Sequence, residues 1–238
     1  MIFFNHLPKT GGLFFLKNYI EPNFENIILH FKDINLLLYK NYNEQLSKIN
    51  IKLNHDTFIH YHDWLPEKFD FKKIIKNINI KFSFCFIRNP IDIFYSSFYW
   101  CKDESIITSF LFKTIDSTTD INIDINDVNN PHDLIDYLDN HQKEIVLNEF
   151  FINKIFQNNN FNEYNIIFDY KNYISNINFI TNQFKWISMS NVQNYKDISP
   201  SYGKSKNIDK SYKIEFLKKF LEPSIEVYTS LQNKIYKP

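Results

Sequence analysis

The sequence predicts an α/β fold in which helices flank a central parallel sheet. Three observations carry that reading. Short apolar runs of strand length alternate with segments of helical periodicity along the chain. The run Lys81–Ile87 is apolar on both faces, as a central parallel strand must be. The two segments richest in chemistry, Leu7–Gly12 and Arg88–Ser97, each follow a strand, and open α/β sheets bind ligands beyond the carboxyl ends of their strands.

The elements follow in order. Ile2-Phe3-Phe4 reads as a strand that runs into a Pro/Thr/Gly turn at Pro8–Gly12, with a helix over Leu13–Ile20. Ile27-Ile28-Leu29 is a second short strand. Over Ile34–Ile49, Leu37, Leu38, Tyr42, Leu46 and Ile49 recur at helical spacing. Thr57–Tyr61 and Lys81–Ile87 are further strands. Asn89 caps a helix with Pro90 in its first turn, running to about Lys102. Residues Asp103–Asn130, rich in Ser, Thr, Asp and Asn, read as a surface insertion that serves as a lid or an acceptor-binding loop. Helical periodicity returns over His132–Phe156. Tyr164–Phe168 is a strand, Tyr173–Phe184 a helix and Ser188–Asn207 a polar stretch. Asp209–Ile235 reads as one or two closing helices, interrupted near Pro223.

With 238 residues, the chain suits a single domain spanning 1–238. Twenty-five Phe and 15 Tyr supply enough apolar surface for a core, which excludes wholesale disorder. The 27 basic and 27 acidic residues balance, so nothing supports bulk binding of nucleic acid or of an anionic membrane. The two cysteines, Cys85 and Cys101, read as reduced thiols in packed surroundings, and no Cys/His spacing suggests a metal site. No stretch approaches the ~18 apolar residues of a membrane span, and Met1–His6 reads directly into a strand rather than as a signal. The expectation is a cytoplasmic protein with no transmembrane segment.

His6-Leu7-Pro8-Lys9-Thr10-Gly11-Gly12 joins a strand to a helix and holds two of the chain's three glycines. Glycine allows close approach of the backbone to a ligand, and the free N–H groups at a helix start attract an anion. Lys9 adds charge and Thr10 a hydroxyl donor. The competing reading is a plain strand–helix turn with a solvated lysine. A nucleoside triphosphatase loop has its Lys after the glycines and an upstream glycine that is missing here, so an ATP/Mg2+ enzyme fits poorly. The second loop begins at Arg88, at the end of the best strand. A guanidinium leaving a buried strand demands an anionic partner, either a ligand phosphate or a structural carboxylate. Ser96 lies roughly 9 Å of helical rise beyond Pro90.

Taken together, HLPKTGG and FSFCFIRNPIDIFYSSFY resemble the sulfotransferase superfamily that uses 3'-phosphoadenosine 5'-phosphosulfate (PAPS). The likeness is closest to the carbohydrate branch that includes heparan sulfate 2-O-sulfotransferase. It implies a P-loop-like three-layer α/β/α fold and no metal. It also implies that Pro8, Lys9, Thr10, Gly11 and Gly12 hold the 5'-phosphosulfate, and that Arg88 and Ser96 hold the 3'-phosphate. Phe58-Ile59-His60-Tyr61-His62 is similar to the family's His-containing segment after a strand, which makes His62, the nearer to the strand end, the preferred base and His60 the second choice. A hydrogen-bonded structural histidine is the other reading of each. Ile166–Tyr170 and its helix, and Leu221–Leu231, are similar to later parts of the family. Lys204 and Lys206 either cover the nucleotide, grip an acidic acceptor or belong to a solvated loop, the last being the simpler reading. Two features depart from the pattern: Leu13 stands where Thr or Ser usually follows Gly-Gly, and the anchor and disulfides of secretory members are missing.

The function this implies is in-line sulfuryl transfer from PAPS to a carbohydrate hydroxyl, with Lys9 at the phosphosulfate bridge. A nucleotide-dependent kinase and an inactive nucleotide- or glycan-binding module are the alternatives.

Overall fold

In the computed structural model, the described residues are 1–28, 41, 44, 48, 56–62, 78–103, 128–142, 147, 150–186 and 204–237. The helix expected over Ile34–Ile49, apart from residues 41, 44 and 48, lies outside them, as does nearly all of the insertion expected at Asp103–Asn130. Among the described residues no helix is long and apolar enough to cross a membrane.

The chain divides into two compact units. The first, Met1–Arg88, Asn159–Asn194 and Leu231–Pro238, contains the sheet. Its strands are β1 (Ile2–His6), β2 (Asn26–Ile28), β3 (Thr57–His62), β4 (Phe82–Ile87), β5 (Ile166–Asp169) and β6 (Ile235–Tyr236). They run in the order β2-β3-β1-β4-β5-β6, and every pairing is parallel. The α/β class expected from the alternating pattern is thus the observed one. Phe3 and Phe4 on β1 and Phe84, Cys85 and Phe86 on β4 are fully buried. That explains the unbroken apolar runs, because central parallel strands are covered on both faces. Phe4 stacks on Phe84 with ring centres 4.8 Å apart, and Phe15, Phe58 and Phe86 close around them. A polar tie crosses this unit: the Asn5 amide donates to Asn159 Oδ1 and to the Tyr164 hydroxyl, both at 2.7 Å. Strand β6 replaces what the sequence reads as the end of a closing helix. Two residues are too few to show a period; they pair with β5, Ile235 beside Ile167 and Tyr236 beside Phe168, and Tyr236 packs on Phe179 and Phe168.

Helix α1 (Gly12–Phe15) follows β1 and widens at once into a π-helical turn, Leu16–Ile20, closed by the Glu21 N–H donating to the Leu16 carbonyl at 2.9 Å. Such turns concentrate at functional sites. The second unit, Asn89–Asn158 and Tyr195–Ser230, holds α2 (Pro90–Asp103), α3 (Pro131–Asn140) and α4 (Phe151–Asn158). Asn89 caps α2 as expected, its side-chain oxygen accepting the Ile91 N–H at 2.9 Å. The periodicity over His132–Phe156 resolves into two helices, α3 with an Asn130 capping box, and α4.

Back in the first unit, α5 (Tyr173–Phe184) covers the span expected from its periodicity. The closing segment in the second unit forms α6 (Ile214–Phe220) and α7 (Glu222–Ser230), with Pro223 in the first turn of α7, where its missing N–H costs nothing. Buried Asn153 binds the last two helices to α4: its amide donates to the Phe220 carbonyl at 3.0 Å, and its oxygen accepts the Ser224 hydroxyl at 2.5 Å.

Candidate functional site

The strand order locates the site. The chain leaving β1 returns at β2, on the side of β3, whereas the chain leaving β4 re-enters the sheet at β5, on the opposite side. Connections that diverge from neighbouring strands open a crevice at their carboxyl ends. The loop after β1 and Arg88 after β4 flank that point.

They meet there. Arg88 Nη1 donates to the Lys9 carbonyl at 3.0 Å, and its guanidinium carbon lies 4.7 Å above the ring centre of Tyr170, just beyond β5. Among the described residues no carboxylate pairs with Arg88. The structural-carboxylate reading of this arginine therefore finds no support among the described residues: one prong meets a carbonyl and the guanidinium plane meets a ring. Lys9 itself adopts φ 63°, a left-handed conformation that costs a side-chain-bearing residue about 1–2 kcal/mol. That conformation belongs to the segment that presents its carbonyl to Arg88. Strain of this kind persists where surrounding contacts impose it.

Gly11 and Gly12 are glycines for different reasons. Gly11 has φ 79° and is wedged against Tyr173, whose ring carbon would stand 2.8 Å from an added Cβ. The Tyr173 hydroxyl donates to the Gly11 carbonyl at 2.5 Å. A Cβ on Gly12 would fall 2.1 Å from the His6 ring. The main-chain N–H groups of Gly11 and Leu13 have no partner among the described residues, which leaves them available to an anion. The Gly12 N–H is committed instead to His6 Nε2, at 3.0 Å. Thr10, expected to offer its hydroxyl to a phosphate, is fully buried and donates to the Leu7 carbonyl at 2.6 Å, closing the turn on itself.

Removing the Tyr173 hydroxyl should loosen this loop. Tyr173→Phe is expected to lower stability by about 1 kcal/mol, measured as a fall in the urea midpoint with an unchanged slope.

Of the two histidines of β3, the side chain of His60 is described. His60 faces His6 across the β1–β3 pairing, with His6 Nδ1 3.1 Å from His60 Nε2 and both residues 3% exposed. Burial lowers the His60 imidazole to about 4. A general base works best with a pKa near the working pH, so His60 is poorly tuned for that task. His62 ends β3 in register with His6, at the carboxyl edge beside the loop. Its side chain lies outside the described residues, as do those of Lys204 and Lys206 in the short turn Lys204–Asn207. Ser96 sits half-buried on α2 in the second unit. Pro8, Lys9, Thr10, Gly11, Gly12 and Arg88 thus belong to one unit with both histidines. The cysteines are both buried, and burial pushes the Cys85 thiol far up. Among the described residues no three of His, Cys, Asp or Glu cluster to hold a metal.

Sequence reading overlooks His6, Tyr170 and Tyr173. The tyrosines reach the loop from more than 150 positions away and carry no local signature. His6 opens the loop motif that ends in Gly11-Gly12, and that position is the one available hint.

No protein-family model matches the chain, and no curated protein matches it.

Proposed function

We propose that this chain is a sulfotransferase that moves a sulfuryl group from PAPS to a hydroxyl of a carbohydrate, either a glycan or a glycolipid. The observation that carries the reading is the contact between Arg88 and the Lys9 carbonyl, which joins the two segments of the sulfotransferase-like motif at one switch point of the sheet. The unpartnered N–H groups of Gly11 and Leu13 support an anion at the helix start. The Arg88 nitrogens beyond Nη1 suit a second phosphate, whose two oxygens match the planar fork.

The roles follow from charge. Lys9 neutralises the negative charge that grows on the bridging oxygen as the S–O bond to the nucleotide breaks. Arg88 and the loop amides hold the two ends of the nucleotide so that the acceptor oxygen attacks in line. His62 takes the acceptor's proton, a task to which an imidazole at the carboxyl edge of the strand is suited.

The test is transfer of labelled sulfate from PAPS across a panel of glycan, glycolipid and small phenolic acceptors. Lys9→Ala is expected to slow turnover by about 100-fold with nucleotide affinity little changed. Arg88→Ala is expected to weaken adenosine 3',5'-bisphosphate binding by about 10- to 100-fold, the worth of a hydrogen bond to a charged group. Arg88→Lys should recover little of it, because an ammonium cannot reproduce the planar fork. Mg2+-dependent ATP turnover without sulfate transfer would contradict the proposal in favour of a kinase. Bisphosphate binding without transfer to any acceptor would reduce the chain to a binding module.

A further inference from the structure

We infer that His6 and His60 are positioning residues, a neutral imidazole pair that holds the anion loop in shape through the Gly12 amide. The inference depends on the proposed function only for the identity of the ligand; the pair itself is a matter of geometry.

The hydrogen-bond directions admit one solution. The Gly12 N–H can only donate, so His6 Nε2 bears a lone pair. A neutral His6 then carries its proton on Nδ1 and donates it to His60 Nε2, which must also bear a lone pair. The reverse direction would strip His6 of both protons, which an imidazole does not sustain near neutral pH. His60 in turn carries its proton on Nδ1. A charge on either ring puts an N–H where an acceptor is required and breaks the chain Gly12→His6→His60.

Packing fixes both rings. Phe4 stacks with His6 at 5.8 Å and lies 5.4 Å from His60, and the two imidazoles meet edge to edge with centres 5.2 Å apart and planes within 28° of parallel. His6 in turn fills the space over Gly12 so closely that only glycine fits. The start of α1, with the free N–H groups of Gly11 and Leu13 on either side of Gly12, is therefore located by an imidazole rather than by a side-chain cap, which it lacks. A histidine serves here because it accepts at one nitrogen and donates at the other, spanning from a backbone amide to the neighbouring strand.

The experiment has two arms. In the full chain labelled with 15N-histidine, long-range proton–nitrogen correlation at pH 7.5 should show Nε2 of both rings unprotonated and Nδ1 protonated. Gly12 amide exchange should be protected in the wild type, stay protected in His6→Gln, whose side-chain oxygen reaches the Nε2 position, and accelerate at least 10-fold in His6→Leu. A protonated Nε2 on either ring, or equal Gly12 exchange in wild type and His6→Leu, overturns the inference. This arm needs no nucleotide, so it stands apart from any failure of the sulfotransferase reading.

In the second arm, His60→Gln keeps an acceptor for His6 and is expected to retain kcat and bisphosphate affinity within about 3-fold. His6→Leu should bind the bisphosphate at least 10-fold more weakly. A loss of kcat in His60→Gln of about 100-fold or more, with affinity unchanged, would make His60 the base and overturn its positioning role.

Discussion

Gly12→Ala is expected to cost about 3 kcal/mol or more and to leave a chain that is largely open to protease at 37 °C. The added Cβ would overlap the His6 ring at 2.1 Å, and that ring cannot swing away without leaving both Phe4 and His60. Overpacking of this kind alone costs roughly 1–3 kcal/mol, and the displaced amide and imidazole lose a buried hydrogen bond worth a similar amount. Gly11→Ala is expected to be milder. It meets the flexible end of Tyr173 at 2.8 Å and holds a left-handed backbone at a cost of about 1–2 kcal/mol. The decisive comparison is the double variant: His6→Ala opens the space above residue 12, so His6→Ala with Gly12→Ala should be more stable than the sum of the single changes by at least about 1 kcal/mol. Urea denaturation of the four proteins measures it. Additive effects would mean that residue 12 and His6 do not share the space.

The second large effect is on acid stability. The imidazole of His60 is lowered by burial to about 4 in the folded chain, against about 6.5 when unfolded. Between those values the unfolded chain binds a proton that the folded chain refuses, so stability rises with pH across that window. The contribution of His60 is complete above about pH 6.5 and is lost as the pH falls toward 4. The full loss is about 3 kcal/mol, since each tenfold weakening of proton binding is worth about 1.4 kcal/mol. Carboxylates also lose stability in acid, notably Asp136, held low by its hydrogen bonds to Lys213 and Tyr212. The difference between wild type and His60→Gln isolates the histidine. Denaturation at pH 7.5, 6, 5 and 4.5 should show the wild type falling more steeply than the variant. Parallel curves would place His60 in contact with water.

The strands were legible because parallel central strands need apolar residues on both faces, and Phe3-Phe4 and Phe84-Cys85-Phe86 state this directly. Arg88 was legible for the complementary reason, a charge where the run of apolar residues stops. What periodicity cannot express is partnership. Thr10 and Gly12 have the look of donors to a ligand, yet the first turns its hydroxyl onto Leu7 and the second its amide onto His6. His60 has the look of a base, but the strand register sets it opposite Phe4 and against His6, away from water. A two-residue strand such as β6 carries too few positions to declare a period at all.

The most direct measurement is a crystal structure with adenosine 3',5'-bisphosphate bound. The 5'-phosphate should lie on the amides of Gly11 and Leu13 near Lys9, and the 3'-phosphate on the Arg88 fork. A nucleotide seated elsewhere, with Arg88 and the Lys9 loop empty beside it, would contradict the account.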